Sequence, residues 1–151
     1  MSRTLRRLGV LVGVIVTLVL AGAGSASAHP LGNFTVNHYA GLTVHPDRVE
    51  VLAVVDSAEI PTLQQRPQVD LNGDGTVSGA EQQDYATTQC AQLADAVRAT
   101  VDGEALRFTV PSAEADYPPG QANLPTTRLT CHLVAPARLD QPATLSFRDD
   151  F

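Results

Sequence analysis

Lysine is missing from this 151-residue chain altogether, and positive charge of any kind is scarce: ten arginines stand against sixteen acidic residues, a formal net charge of −6. Three of those arginines, Arg3, Arg6 and Arg7, sit at the very start; beyond them the count is seven against sixteen, or −9. A nucleic-acid binder needs a basic face over the phosphates, so that class is excluded. Aromatic residues make up only 5%, whereas there are ten prolines and eleven glycines, which fits a turn-rich β or α+β domain better than a helical bundle. No long apolar run follows the first thirty residues, and the length suits one domain. A catalytic set is lacking too. There is no Ser/His/Asp arrangement, no phosphate-binding glycine loop and no zinc spacing, so nothing nominates an enzyme. Asp56 and Glu59 could be paired carboxylates, but Asp56 is better placed to cap the turn that follows it.

What is there begins with a targeting pattern. The three arginines precede an uninterrupted apolar or small stretch, Leu8 to Leu20, and then a run of small residues ending Ala26-Ser27-Ala28. This order reads as a secretory signal peptide over residues 1–28, with the mature chain starting at His29 outside the cytoplasm. An uncleaved anchor is the competing reading, but the apolar stretch is shorter than the roughly 20 residues a spanning helix needs. In an oxidising compartment two cysteines are expected to pair. Cys90 lies on a helical stripe with Ala86, Leu93, Val97 and Val101. Cys131 alternates with Leu129 and Leu133 on one strand face, so both sulfurs point inward and a helix-to-sheet bridge follows.

Patterning of the remainder predicts β-β-(α-loop-α)-β-β-β. Asn33–Val44 and Arg48–Asp56 alternate around a Pro46-Asp47 turn and form a hairpin, with Phe34, Val36, Leu42 and Val44 sharing a face. Pro61 can open a short helix that Pro67 stops, and a longer helix runs from about Gly79 to Thr100. Val101-Asp102-Gly103-Glu104 has turn chemistry, Leu106–Val110 is a strand, and Pro111–Pro125 reads as an exposed loop. Thr127–Val134 and Thr144–Phe147 complete the β set. The fold class is therefore α+β, a small antiparallel sandwich or sheet over residues 29–151 with a helical insertion at 57–100 between its second and third strands. The chain stops directly out of an apparent strand at Phe151, which suits a fragment of a longer protein.

One stretch carries chemistry. Asp70-Leu71-Asn72-Gly73-Asp74-Gly75-Thr76-Val77-Ser78-Gly79-Ala80-Glu81 has the spacing of an EF-hand calcium loop throughout. Asp70, Asn72 and Asp74 would supply side-chain oxygens at the first, third and fifth positions. Gly75 allows the sharp turn at the sixth. Thr76 offers its carbonyl, Ser78 a water-mediated contact and Glu81 a bidentate carboxylate. Calcium, a hard cation taking six to eight oxygens, fits better than magnesium. Three carboxylates in a lone loop place the site at the low-affinity end, where a structural ion is expected rather than a sensor. Pro67, three residues ahead, argues against a complete helix-loop-helix. Ser78 can also cap the helix that carries Glu81.

The four histidines are less informative. His38 and His45 face opposite ways if they share a strand, and His132 lies on the polar face opposite Cys131. His29 differs, because a mature N-terminal amine and its imidazole could together chelate Cu²⁺ or Ni²⁺.

The start HPLGNFTVNHY, the segment VVDSAEIPTLQQ and the DLNGDGTVSGAE loop together resemble the extracytoplasmic N-terminal domain of the nickel/cobalt (NicO-type) transporter family of actinobacteria. The similarity covers most of His29 to Phe151. It implies a domain preceding a multi-span membrane part, hence an accessory domain or a truncated form, with a membrane transporter as partner. Two functions compete: a secreted calcium-stabilised domain, and a soluble carrier of nickel, cobalt or copper using His29.

Overall fold

Period-two alternation of apolar and polar residues is strongest in Arg48–Ser57 and Thr127–Pro136, and these two runs pair at the centre of the molecule. The computed structural model describes residues 31–151; the expected signal peptide and His29 lie outside the described residues. A 3-10 turn at Leu31–Phe34 leads into strands β1 (Val36–Val44) and β2 (Arg48–Ser57). Helices α1 (Glu59–Val69) and α2 (Gly79–Ala96) follow, then β3 (Val97–Val101), β4 (Glu104–Ala105) and β5 (Thr109–Asp116). After a second 3-10 turn at Gln121–Asn123 come β6 (Thr127–Pro136) and β7 (Leu145–Asp149). One antiparallel sheet has the order β1-β2-β6-β5 and a second the order β4-β3-β7. The fold is α+β with a helical insertion between the second and third strands, as expected.

The core follows from the register. Val49, Val51, Ala53 and Val55 of β2 stand opposite Ala135, Leu133, Cys131 and Leu129 of β6, so one face of the central pair is a continuous apolar surface. Ala86, Cys90 and Leu93 of α2, spaced by four and three, lie on the helix face that covers it. Cys90 and Cys131 are bridged, with their Cα atoms 5.5 Å apart, and both residues are fully buried. Val97 joins the same cluster, with Leu145 and Phe147 of β7 packed against it.

Several sequence expectations need correction, each for an identifiable reason. The long helix ends at Ala96, not Thr100. Val97 and Val101, read as the end of the helical stripe, lie in β3 instead, because Val97 to Val101 pair with Asp149 to Leu145. A residue four after Leu93 can continue a helix face or start an inward-alternating strand, and the ladder decides between them. The segment read as the loop Pro111–Pro125 begins with most of β5. Pro111 is tolerated there because β5 is an edge strand with a register shift between Thr109 and Ser112. Pro67 does not stop α1, which runs on to Val69, directly before Asp70. Asp56 caps nothing: it forms a two-pronged ion pair with Arg128 at 2.7 and 2.8 Å, and the residue before α1 is Ala58. The β3–β4 turn is as read, with Asp102 and Gly103 both at positive φ between paired Val101 and Glu104.

Candidate metal centre

The loop between α1 and α2 is short, polar and tightly self-bonded. Because α1 continues to Val69 and α2 starts at Gly79, residues 70–78 join two helices directly and Glu81 lies in the first turn of α2. Gly73 and Gly75 take φ of +72° and +81°, a conformation that glycine adopts without a Cβ penalty. Each acidic or amide side chain folds back onto loop backbone. Asp70 accepts from the Gly73 and Gly75 N–H groups at 2.8 and 2.9 Å. The Asn72 side-chain oxygen accepts from Asp74 N–H at 2.8 Å, and Asp74 accepts from Thr76 N–H at 2.7 Å. Asp70, Asn72 and Asp74 each thereby close a short side-chain turn.

Glu81 closes the loop. It stands in the first turn of α2, where Ser78 is the N-cap and a reciprocal capping box forms. Ser78 Oγ accepts from Glu81 N–H at 3.3 Å and donates to the Glu81 carboxylate at 2.8 Å, while Ser78 N–H donates to the same oxygen at 2.9 Å. The other carboxylate oxygen accepts from Asn72 N–H at 3.3 Å, across the loop. Glu81 is buried. The Ser78 backbone N–H, then its hydroxyl, hold the Glu81 carboxyl below the usual glutamate range.

Among the described residues, no three His, Cys, Asp or Glu side chains gather into a cluster able to hold a metal. The loop's three carboxylates, Asp70, Asp74 and Glu81, are thus not drawn together, and its other candidate ligands are an amide, a hydroxyl and the Thr76 carbonyl. The loop's candidate donors are all oxygens, the kind a hard ion takes, and both glycines are in the conformation the turns need. His38 and His132 are not brought together. His38 lies on the face of β1 that continues the core face and sits 5.7 Å from the Phe151 ring, whereas exposed His132 pairs with Leu52 on the outer face. His45 Nε2 lies 3.5 Å from Glu50.

Three contacts that fasten α1 carry no sequence signal that would single them out. The Arg66 guanidinium donates to the Gly75 carbonyl, tying α1 to the loop's sharpest turn. Thr62 donates to the Ser57 carbonyl at 3.2 Å and accepts from Thr127 at 3.0 Å, a buried hydroxyl pair that seats α1 on the ends of β2 and β6. Glu59, also buried, accepts from Gln121 N–H at 2.6 Å and so holds the 3-10 turn after β5. Beside the loop a cleft runs between Arg66, Val77 and Tyr117. Burial pushes the Tyr117 hydroxyl up to about 12, and neighbouring Tyr85 adds to this.

The Glu59 contact has a pH consequence. The Gln121 N–H, followed by its own backbone N–H, lowers the Glu59 pKa below 4.5. A carboxyl whose folded pKa is depressed stabilises the fold above its unfolded value, and that contribution is lost as pH falls through the folded value. Stability should therefore fall below about pH 4.5, and Glu59→Gln should show a lower melting temperature at pH 7 with a shallower decline toward pH 3. Melting curves of both proteins across that range check this; parallel declines would count against it.

No protein-family model matches the chain, and neither a curated protein nor a solved structure matches it.

Proposed function

We propose that this is an exported calcium-binding domain in which the ion has a structural role. The observation that carries the reading is the loop itself: Asp70, Asn72, Asp74 and Glu81 all bond the backbone of a twelve-residue stretch that runs from the end of α1 into the first turn of α2. Asp70, Asn72, Asp74 and Glu81 would supply side-chain oxygens, Thr76 its carbonyl and Ser78 a bridging water. In this reading the ion exchanges backbone N–H contacts for its own charge and fastens the helical insertion at the point where α2 enters the core. Export rests on the N-terminal pattern and on the Cys90–Cys131 bridge, which belongs in an oxidising compartment. Among the described residues no helix is long and apolar enough to cross a membrane. An accessory place beside a metal transporter remains what the sequence resemblance implies.

Calorimetric titration of residues 29–151 with calcium tests the reading. One saturable site with a Kd of about 10⁻⁴–10⁻³ M is expected, the range of extracellular calcium modules. Asp70→Ala and Glu81→Ala should each abolish it, and magnesium should bind more weakly. Absence of heat up to about ten times that range would leave the loop as a turn only.

A further inference from the structure

The two edges of the larger sheet are treated very differently. On the β5 side, Pro111, a register shift and the charges of Glu114 and Asp116 make pairing with another strand unfavourable. On the β1 side there is no such guard. Among the described residues β1 pairs only with β2, and its nine residues contain no proline and no formal charge. The charge-free stretch reaches from Leu8 to Pro46, in a chain that otherwise carries sixteen acidic residues.

The free edge is also chemically equipped. Ala58 N–H donates to the Thr35 carbonyl and His45 N–H to the Arg48 carbonyl, so the odd-numbered residues of this run bond toward β2. The N–H and C=O groups of Val36, His38, Ala40, Leu42 and Val44 therefore point outward, because the two sides of an antiparallel strand alternate. Apolar side chains accompany them: Val36 is 43% exposed, Val44 53% and Tyr39 59%. Val36 and Val44 lie on the side of the sheet that elsewhere forms the core, at its uncovered margin.

We propose that β1 is a self-association strand, pairing antiparallel with β1 of a second copy about Ala40. The sequence V-N-H-Y-A-G-L-T-V is close to self-complementary in that register. Val36 meets the partner's Val44, Asn37 the partner's Thr43, His38 the partner's Leu42, and Tyr39 the partner's Gly41. Outward-bonding residues then meet outward-bonding residues, giving about ten ladder hydrogen bonds. An aromatic opposite a glycine fills space that the glycine leaves, and on its own strand the Tyr39 ring already lies over Gly41. Charge along this edge does not oppose the second copy. Two acidic copies repel over most of their surfaces, and here they meet along a strip with no like charges to oppose, related by the two-fold symmetry most dimers use. The product is one continuous sheet with both β1 edges closed. Strand pairing buries less than a standard interface, so the association is concentration-dependent rather than obligate.

Sedimentation velocity of residues 29–151, which include the whole compact unit Leu31–Phe151, tests the proposal at concentrations from about 1 to about 300 µM. A reversible monomer–dimer shift is expected. Val36→Lys and Val44→Glu each put a charge at an exposed position, and each should weaken dimerisation at least roughly tenfold while melting as the parent does. Combined in one chain, they face each other across the pair in opposite sign and should restore most of the loss. A wild-type chain that stays monomeric throughout overturns the proposal, and would leave the edge to a strand from a different protein. Dimerisation that the double variant fails to recover overturns the Ala40 register. Neither result bears on calcium, since Asp70→Ala should dimerise normally.

Discussion

Removing the disulfide by the double substitution Cys90→Ala and Cys131→Ala is expected to destabilise the domain by about 4 kcal/mol. The bridge joins residues 41 apart in sequence, so it shortens the unfolded chain's accessible conformations substantially. It also lies within the hydrophobic core. Cys90 sits in the second half of α2 and Cys131 at the centre of β6, each with no exposed surface, and on the helix Cys90 lies between buried Ala86 and Leu93. For a domain of this size the loss corresponds to a fall of roughly 15 °C in melting temperature. Urea unfolding of the variant, and of the parent with and without reductant, measures it. Reduced parent and double variant should agree closely, and a difference from the oxidised parent below about 1 kcal/mol would contradict the bridge's role.

How far sequence reasoning reached depends on whether the physics was local. The Ser78 cap and the Asp102-Gly103 turn are decided within a few residues, and each is found where the pattern put it. The facing sulfurs were also legible, because helical and strand periods separately aim Cys90 and Cys131 inward. What escaped was decided by partners far away in the chain. Val97–Val101 is a strand because β7 is there to receive it, and Asp56 turns from the following helix toward Arg128, 72 residues on. Pro67 shows a third kind of error. Proline ends helices by clashing with the preceding turn, yet α1 needs only two more residues and keeps its closing bond from Asp70 N–H to the Arg66 carbonyl. The apolar residues of β1 form the expected hairpin, but alternation in a sequence does not tell how much of a face is covered. Phe34, read into that strand, lies in the 3-10 turn before it and is 71% exposed.

Calcium should raise the domain's resistance to unfolding as well as bind to it. An ion that binds only the folded loop stabilises by the logarithm of its saturation, about 2.7 kcal/mol at a hundred times its Kd. With an entropy of unfolding typical for a domain of this length, that is about 10 °C in melting temperature. Asp70→Ala should abolish the increment, because it removes one ligand while leaving the Ser78–Glu81 cap intact. Comparison with the disulfide makes the experiment sharper. Glu81 and Cys90 lie on one helix nine residues apart, about 13 Å along its axis, beyond the separation at which two perturbations usually interact. Calcium should therefore add the same free energy to the bridged protein and to the Cys90→Ala, Cys131→Ala variant, although the two start from very different stabilities. An increment that vanished without the bridge would mean that the loop holds its ion only when α2 is pinned to β6. The ion and the disulfide would then be two parts of one device, not independent fastenings of the same helix.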